Sequence, residues 1–269
     1  MDFTKVSNEH YDNYTQYLNR MSESCIRSSK NLLPKFAKGK TLDVGCGSGV
    51  LLEQIENSVG IDLNENSIKV CNEKGLTAYC KSLEEVKDKY DSIIFSSVLH
   101  EISSYSDINS YTELPIIGIL TAAKSKLNDG GRIIIRDGLE ANIGKSTLIA
   151  KSKDVIGDLI QYAKDAPMFN NEEIQVSNNI VTANNNFLRE FMFTYTWGKA
   201  SYFREVNEKY GILREIDWIN ILEKLNFKIT YLQTFKEEYL EYLSKYFIVN
   251  KDLISLLNEC VIVIIAEKC

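Results

Sequence analysis

Three glycines and two aspartates have residue types and a spacing that suit a ligand-binding loop. Gly45, Gly47 and Gly49 alternate along the chain, Asp43 stands two residues before the first of them, and Asp62 follows nineteen residues after Asp43. The glycines come directly after a short apolar stretch, and the backbone N–H groups of such a strand-to-helix turn can bind a ligand. A tight turn without a ligand needs only one or two glycines, so three of them favour a binding loop.

The glycine spacing disfavours two common nucleotide-binding loops. The dinucleotide fingerprint G-x-G-x-x-G/A needs a small last residue, where the sequence has Val50 counted from Gly45 or Leu52 counted from Gly47. The triphosphate loop needs Gly-Lys-Ser/Thr, which the sequence does not contain after these glycines. The carboxylate ahead of the loop would repel a pyrophosphate but suits a cation, and the later one can accept both hydroxyls of a ribose. A ribose joined to a cationic amino-acid group fits this pattern.

Four segments resemble the class I S-adenosylmethionine-dependent methyltransferases. The family's first motif is matched by LDVGCGSG and its second by VGIDLN, and its fourth- and fifth-strand signatures are similar to YDSIIFSSVLHEI and LNDGGRIIIRDG. The resemblance covers 38–137 and, more loosely, 215–267. It implies a Rossmann-like methyltransferase fold, S-adenosyl-L-methionine as the cofactor and S-adenosyl-L-homocysteine as the product.

The resemblance also implies which residues bind the cofactor. The glycine-loop backbone would pass the methionine part, with Gly49 opening the first helix and Asp43 reaching the ammonium group. Asp62 would hold the ribose. After the third strand, where the family often has an acid that contacts the adenine amine, this sequence has Lys81 or Ser82, and there Ser82 could accept a hydrogen bond and Leu83 could donate its backbone N–H. The predicted set is Asp43, Gly45, Cys46, Gly47, Gly49, Asp62, Leu63, Ser82, Leu83 and Ser97.

Ionisable side chains follow the fourth and fifth strands, where the resemblance places the methyl group. His100 is a candidate general base because its ordinary pKa is near 6.5, although it could equally cap or pack the next helix. Glu101 could orient His100, act as the base itself or face solvent. Arg136 could hold a substrate carboxylate or phosphate, and Asp137 could bind substrate or anchor Arg136. We predict a catalytic set of His100, Glu101 and Arg136.

Alternating strand-like and helix-like stretches after residue 38 predict an α/β fold with a mostly parallel sheet and helices on both faces. With the resemblance, this becomes a seven-stranded Rossmann-like methyltransferase fold. We predict an N-terminal helical lid over 1–37, bearing Tyr11, Tyr14 and Tyr17, and a cofactor-binding core over 38–137 and 215–269. The rhythm breaks over 138–214, which predicts a substrate-facing α-helical cap inserted after strand five.

Several single elements are also predicted. Apolar residues at helical spacing predict a helix that starts at Pro115 and ends at the NDGG segment, 128–131. Further helices are predicted over 143–163 and near 236–247.

The predicted cap carries an aromatic and basic cluster that could form a substrate wall or the cap's own core. Arg204 and Lys199 would give such a wall a preference for anions. The predicted substrate-binding residues are Asp137, Tyr195, Trp197, Tyr202 and Arg204, with Phe203 in the same cluster.

Composition narrows the classes of function. The net charge of -6 and the pI of about 5.2 disfavour nucleic acid as a partner. Six cysteines without a CxxC pair indicate reduced thiols in an intracellular protein, and two histidines give no metal-ligand spacing. We see no signal peptide or membrane-spanning stretch in the sequence, so we expect a cytoplasmic protein without a membrane partner and without a bound metal.

The leading hypothesis is methyl transfer to a small-molecule acceptor, most simply at oxygen. The N/D-P-P-Y/F signature of enzymes that methylate nucleobase nitrogens is replaced by SSVL, which counts against such an acceptor. Alternatives are an RNA or protein methyltransferase, a non-catalytic S-adenosylmethionine-binding module, and a lyase that uses the same pocket. No oligomeric state is predicted.

Overall fold

The computed structural model describes residues 29–108, 110–170, 172–199, 201–236 and 239–269. The strands in this part of the chain are β1 (Thr41–Val44), β2 (Ser58–Asp62), β3 (Ala78–Cys80), β4 (Tyr90–Ser96), β5 (Leu127–Gly138), β6 (Lys145–Ile149), β7 (Gln175–Ser177), β8 (Ile180–Asn184), β9 (Phe227–Phe235) and β10 (Val261–Lys268). The α-helices are α1 (Leu33–Phe36), α2 (Glu65–Glu73), α3 (Leu99–Ser104), α4 (Leu114–Lys126), α5 (Lys153–Asp165), α6 (Asn185–Trp197), α7 (Tyr202–Glu205), α8 (Glu215–Lys224), α9 (Leu240–Leu243) and α10 (Lys251–Leu257). Single 3-10 turns lie at Ser29–Leu32, Leu52–Gln54 and Pro167–Phe169.

The main sheet has seven strands in the order β3-β2-β1-β4-β5-β10-β9. Strand β10 is antiparallel to both of its neighbours, and the other pairings are parallel. The predicted Rossmann-like, mostly parallel sheet is therefore confirmed. The strand order reverses between β1 and β4, and ligands of open α/β sheets bind at the carboxyl ends of the strands that flank such a switch point.

The central strands are buried on both faces of the sheet. Because consecutive side chains of a strand point to opposite sides, each strand contributes to the apolar layer on either face. Ile93 and Phe95 of β4 join the apolar layer under α4 and α8, whereas Ile94 joins the layer on the other face. Leu33 of α1 packs in that second layer. The predicted lid residues Tyr11, Tyr14 and Tyr17 lie outside the described residues. The described end of that segment packs against the sheet.

The inserted segment, 138–214, contains helices and also a small antiparallel sheet in the order β6-β8-β7. The sequence predicted a cap of helices alone, and the continuous helix expected over 143–163 is wrong in its first half. Thr147 of β6 pairs with Thr182 of β8, and their hydroxyls lie 2.9 Å apart. β-branched residues such as these suit a half-buried strand, and α5 begins only after them.

The connection between β9 and β10 packs with the insert and not with the main sheet. Leu243, Phe247 and Leu253 share one buried apolar cluster with Phe187 and Phe191 of α6. The predicted cofactor-binding core, 215–269, includes this connection, whereas in the structure it packs on the insert. The helix expected near 236–247 is limited to the four residues of α9.

Two further elements differ from expectation near the sheet. The helix expected after Gly49 is a single 3-10 turn, because only eight residues separate Gly49 from Ser58. The Ser58 hydroxyl donates to Ile55 O at 2.7 Å and closes this short connection. Helix α4 has Pro115 in its first turn, as predicted, but ends at Lys126, and the NDGG segment belongs to β5.

Among the described residues, we find no helix that combines the length and the apolar character needed to cross a membrane.

Candidate active site

A cavity of about 370 Å³ opens at the carboxyl ends of β1, β2 and β4. Seven residues of the predicted cofactor set line it, namely Gly45, Gly47, Asp62, Leu63, Ser82, Leu83 and Ser97. The other three, Asp43, Cys46 and Gly49, are not among its lining residues. The sheet switch point and the predicted cofactor residues therefore coincide at one cavity.

The glycine loop is fixed by the neighbouring strand β2. The N–H groups of Gly45 and Cys46 both donate to Ile61 O, at 2.8 and 3.1 Å. Gly45 has a φ of +70°, and a Cβ at this position would lie 2.5 Å from Cγ2 of Val98. Both features require glycine, because other residues rarely adopt this φ and the space for a side chain is filled.

Asp62 ties the glycine loop to the start of α2. Its Oδ2 accepts from Gly47 N at 2.9 Å, and its Oδ1 accepts from Asn64 N at 2.8 Å. Burial raises the pKa of Asp62, while these two N–H donors oppose the rise. The Asn64 side chain in turn caps α2 by accepting from Ser67 N at 3.2 Å. One carboxylate thus holds two backbone segments that line the cavity.

Asp43 is a buried carboxyl group with an unmet hydrogen-bonding atom. It is 2% exposed, and its Oδ1 has no partner. Burial raises the pKa of Asp43 to about 7, against the lowering effect of nearby Lys30. Buried polar atoms are normally paired, so an unpaired oxygen next to a ligand loop fits a cationic ligand group that reaches it directly or through water.

Leu63, which is 51% exposed, gives the cavity an apolar surface and lines it together with Ser82 and Leu83. Ser82 N donates to Glu85 Oε2 at 2.8 Å, which fixes the turn after β3. Lys81 also lines the cavity at the position where the family often has an acid.

Ser97 sits in a strained turn that Arg136 supports. Ser97 has a φ of +58°, which is uncommon for a residue with a side chain. Its N–H donates to Arg136 O at 2.7 Å, and the Arg136 guanidinium donates to Ser97 Oγ. Arg136 Nε also donates to Ser29 Oγ at 3.1 Å. Arg136 does not line the cavity, so its geometry fits a support for the Ser97 turn and not the predicted contact with substrate.

Asp137 caps α3 and anchors His100. It is 1% exposed, and its Oδ2 accepts from Leu99 N at 2.9 Å and from His100 N at 3.2 Å. Its Oδ1 lies 2.6 Å from His100 Nδ1. Asp137 is absent from the cavity wall, so the structure does not bring it to the predicted substrate-binding position.

His100 lies behind the cavity wall and is 5% exposed. Its Nε2 is 3.8 Å from Glu208 Oε2, and its ring lies 5.1 Å from that of Tyr210. Burial alone would lower the pKa of His100, but Asp137, Glu101 and Glu208 together raise it to about 9. A histidine that is protonated at neutral pH cannot accept a proton, so neither its position nor its charge suits the predicted general base.

Glu101 is the predicted catalytic residue that does line the cavity. Its Oε1 accepts from Arg204 Nη2 at 3.1 Å, and Arg204 Nε donates to Glu208 Oε1 at 3.0 Å. Burial raises the pKa of Glu101 to about 7, against the lowering effect of Arg204. Close to neutral pH, Glu101 can therefore exchange a proton at the cavity.

Two residues that were not predicted from the sequence support this wall, and of the two only Tyr105 lines the cavity. Tyr105 lines the cavity, and its hydroxyl donates to Glu208 Oε1 at 3.0 Å. Tyr105 follows Glu101 by four residues, and this spacing on a helix face could have indicated it. Glu208 had no such signal, because it meets Tyr105 across a sequence separation of 103 residues.

The aromatic residues of the cap mostly make contacts within the cap. Tyr195 donates to Asp158 Oδ2 at 3.2 Å, and Tyr202 donates to Asp165 Oδ2 at 3.0 Å. Neither they nor Trp197 are among the lining residues of the cavity. Of the five predicted substrate residues, the structure brings Arg204 alone into the cavity wall.

Three potential metal ligands lie close together here, namely His100, Glu101 and Glu208. One donor atom from each lies within 4.8 Å of the other two. The guanidinium of Arg204 bridges the two carboxylates, however, and so already supplies positive charge at this point. A metal ion would have to displace it.

A groove of about 640 Å³ lies elsewhere, between α4, α8 and the insert. It shares no lining residue with the cavity at the glycine loop. Its wall includes the ion pair of Arg214 with Asp217, at 2.8 Å.

Comparison with known proteins identifies a family. Residues 17–232 match the model of a family described as "Methyltransferase domain". Malonyl-[acyl-carrier protein] O-methyltransferase of Bacillus cereus is 26% identical over 124 residues, which are 41% of this chain and 46% of that protein. The mitochondrial ubiquinone biosynthesis O-methyltransferase of Saccharomyces cerevisiae is 30% identical over 116 residues, 36% of this chain and 37% of that protein. The chain thus spans less than half the length of these curated relatives.

Solved structures share the fold. An S-adenosylmethionine-dependent methyltransferase from Mesorhizobium loti aligns with a TM-score of 0.51 at 14% identity, covering 91% of this chain and 98% of that one. A SAM-dependent methyltransferase from Thermotoga maritima aligns with a TM-score of 0.51 at 15% identity, covering 99% and 98%.

Proposed function

Because this chain belongs to the methyltransferase-domain family, we propose that it transfers the methyl group of S-adenosyl-L-methionine to an oxygen atom of a small acceptor. The family match confirms the predicted family, enzyme class and cofactor, and the structural neighbours confirm the fold. The acceptor, its reacting atom and the role of each residue are the proposal.

The observation that carries the proposal is the cavity at the strand switch point, where Asp62 ties the glycine loop to α2. Asp62 would hold the ribose hydroxyls, Leu63 would pack against the adenine, and Asp43 would balance the ammonium group. The bound cofactor supplies an electrophilic methyl group on a sulfonium sulfur. The loop orients it, and the apolar side chains of Val98 and Ile102 keep water away from the acceptor.

Glu101 is the general base in this proposal, in place of His100. A carboxylate with a pKa of about 7 is a stronger base than an ordinary one, and it lies in the cavity wall. A base is most effective when its pKa lies near the working pH. A phenol or an enol, whose hydroxyl is more acidic than that of an alcohol, is the acceptor class that such a base serves best.

Arg204 holds the Glu101 carboxylate at the cavity and belongs to the cap. Its bond to Glu208, four residues later in the same segment, fixes the guanidinium from the other side, so the base is held by a segment about a hundred residues away in sequence. The names of the two curated relatives, both O-methyltransferases, also support oxygen as the acceptor atom.

Isothermal titration calorimetry with S-adenosylmethionine and S-adenosylhomocysteine tests the cofactor half of the proposal. Micromolar binding is expected. A panel of phenols, enols, alcohols and carboxylic acids, assayed by release of S-adenosylhomocysteine, then tests the acceptor class. Absence of binding would refute the proposal. Binding without turnover on any acceptor, including RNA and protein, would favour a non-catalytic module.

A further inference from the structure

Two buried thiols lie close together at the glycine loop. Cys46 belongs to the loop itself and Cys71 to α2, and they are 8% and 0% exposed. Both reach the same acceptor, Gly47 O, with Sγ at 3.9 Å for Cys46 and 3.2 Å for Cys71. The two side chains are also close enough for each thiol to shift the pKa of the other.

Their surroundings make the two thiols unequal. The side-chain interaction with Cys46 lowers the pKa of Cys71, with help from Lys74, whose Nζ donates to Ser48 O at 2.9 Å. The same interaction, together with burial, raises the pKa of Cys46. Cys71 is thus the more acidic thiol of the pair and the one that loses its proton first. Thiolates, and not thiols, react with oxidants.

We propose that Cys46 and Cys71 form a dithiol site that a hydroperoxide oxidises to a disulfide, and that this disulfide weakens the binding of S-adenosylmethionine. The second part rests on the proposed function. With hydrogen peroxide, two S–H bonds and the O–O bond break, one S–S bond forms, and two water molecules leave. The two electrons pass from the sulfur atoms to the peroxide.

The disulfide would disturb the loop at the residue that reaches Asp62. Oxidation removes the S–H donor of Cys71, so Gly47 O loses its 3.2 Å partner. The N–H of the same Gly47 donates to Asp62, the ribose-binding carboxylate of the proposal. An S–S bond of about 2.05 Å also draws Cys46 toward α2. The Cys46 Sγ packs closely on Gly60 of β2, where an added Cβ would lie 2.6 Å from it, so a shift of Cys46 would also change this contact.

The coupling works in both directions. If the disulfide weakens cofactor binding, bound cofactor must make the disulfide harder to form by the same factor. S-adenosylhomocysteine should therefore protect the two thiols from oxidation, and this effect is measured without any methyl acceptor.

The test uses the full chain, treated with hydrogen peroxide and then with dithiothreitol. Peptide mass mapping should find a Cys46–Cys71 disulfide that is two hydrogen atoms lighter than the dithiol. Calorimetry should show S-adenosylmethionine binding about tenfold weaker after oxidation, a loss of about 1.4 kcal/mol, and restored after reduction. Cys71→Ser, which keeps a donor for Gly47 O, should bind normally and be unaffected by peroxide. The matched control Cys269→Ser, at an exposed cysteine, should respond as the wild type does.

Three results would overturn the inference. These are a map without the Cys46–Cys71 disulfide, an unchanged affinity once that disulfide has formed, or, at equilibrium in a dithiothreitol redox buffer, an equal disulfide fraction with and without S-adenosylhomocysteine. If Cys71→Ser does not fold, mapping and protection in the wild type still decide the matter. An untreated wild type that fails to bind S-adenosylmethionine would refute the proposed function instead, and mapping would still report on the thiol pair.

Discussion

The two sides of the cavity are built in different ways. On one side, here called the cofactor wall, backbone groups of the glycine loop are fixed by β2 and by the carboxylate of Asp62. On the other, the charged wall, Glu101 and Tyr105 of the α3 region meet Arg204 of the cap. The cofactor wall joins residues close in sequence, whereas the charged wall joins residues about a hundred positions apart.

This difference indicates which wall of the cavity is constrained across the family and which wall can vary between its members. A wall of backbone amides depends on glycines and on one acid, so it suits a ligand shared by a whole family. A wall of buried side-chain charges depends on partners from the insert, and one substitution leaves another charge unpaired. We infer that the charged wall sets the acceptor, and the following substitutions probe each wall in turn.

The largest expected effect is that of Glu101→Gln. If Glu101 is the base, turnover of an identified acceptor should fall by about 10²- to 10³-fold, while S-adenosylmethionine binding changes little. In the wild type, kcat/KM should rise as the pH increases through about 7, because the base must be deprotonated, and this rise should be lost in the variant. Glu84→Gln, another acid in the cavity wall, is the matched control. An unchanged pH profile in Glu101→Gln would exclude the role.

Asp62→Ala should break the cofactor wall. Loss of the hydrogen bonds to Gly47 N and Asn64 N frees the loop and the start of α2, and in the proposed function the ribose hydroxyls would also lose their acceptor. We expect S-adenosylmethionine binding to weaken by about 50-fold in calorimetry, the equivalent of one or two hydrogen bonds to a charged group. Asp129→Ala, at a fully exposed acid, should bind as the wild type does. Equal affinity of both variants would place the ribose elsewhere.

His100→Gln should destabilise the charged wall in a pH-dependent way. Because the folded pKa of about 9 exceeds the ordinary 6.5, the contribution of His100 is fully present below pH 6.5 and is lost as the pH rises through 9. Urea denaturation should show a difference in unfolding free energy of about 3 kcal/mol at pH 6 that shrinks toward pH 9. Lys69→Gln, in an exposed ion pair, should show almost no effect at any pH. A difference that is constant with pH would contradict the buried cation.

The smallest effect is expected for Glu205→Gln. Burial raises the pKa of Glu205 to about 8 from an ordinary 4.5, so folding of the wild type is penalised increasingly as the pH rises between these values. The glutamine avoids this penalty and keeps an acceptor for the Tyr210 hydroxyl. In the same assay the variant should nearly equal the wild type at pH 4 and exceed it by about 1 kcal/mol at pH 5, where the penalty on the wild-type carboxylate is only beginning. Lower stability of the variant at pH 8 would show that the carboxylate is needed in its charged form.

The cofactor wall could be predicted from the sequence because its determinants are local. A left-handed loop requires glycine, and a carboxylate at the end of the next strand of a parallel sheet must lie beside that loop. The positions of Gly45 and Asp62 can therefore be predicted from the sequence. Asp43 was placed near the loop for the same reason, but the sequence did not indicate that it lies behind the wall.

The charged wall could not be predicted in the same way. His100 has an ordinary pKa suited to a base, but its pKa in the structure depends on Asp137 and Glu208, which no local pattern pairs with it. The aromatic cluster of the cap gave a similar ambiguity, because apolar residues at helical spacing suit a core and a substrate wall equally. Their contacts were decided by how the insert folds back on α3.

The insert's apolar core has a consequence for exchanging parts between relatives. That core is completed by α9 and α10, which come from the connection between β9 and β10, far along the chain from 138–214. A chimera that receives 138–214 from a relative, and keeps its own connection between β9 and β10, would pack together two apolar surfaces that evolved in different proteins. The unit that can be transplanted, and on which acceptor preference can be re-engineered, is therefore the pair of segments, 138–214 with 236–260.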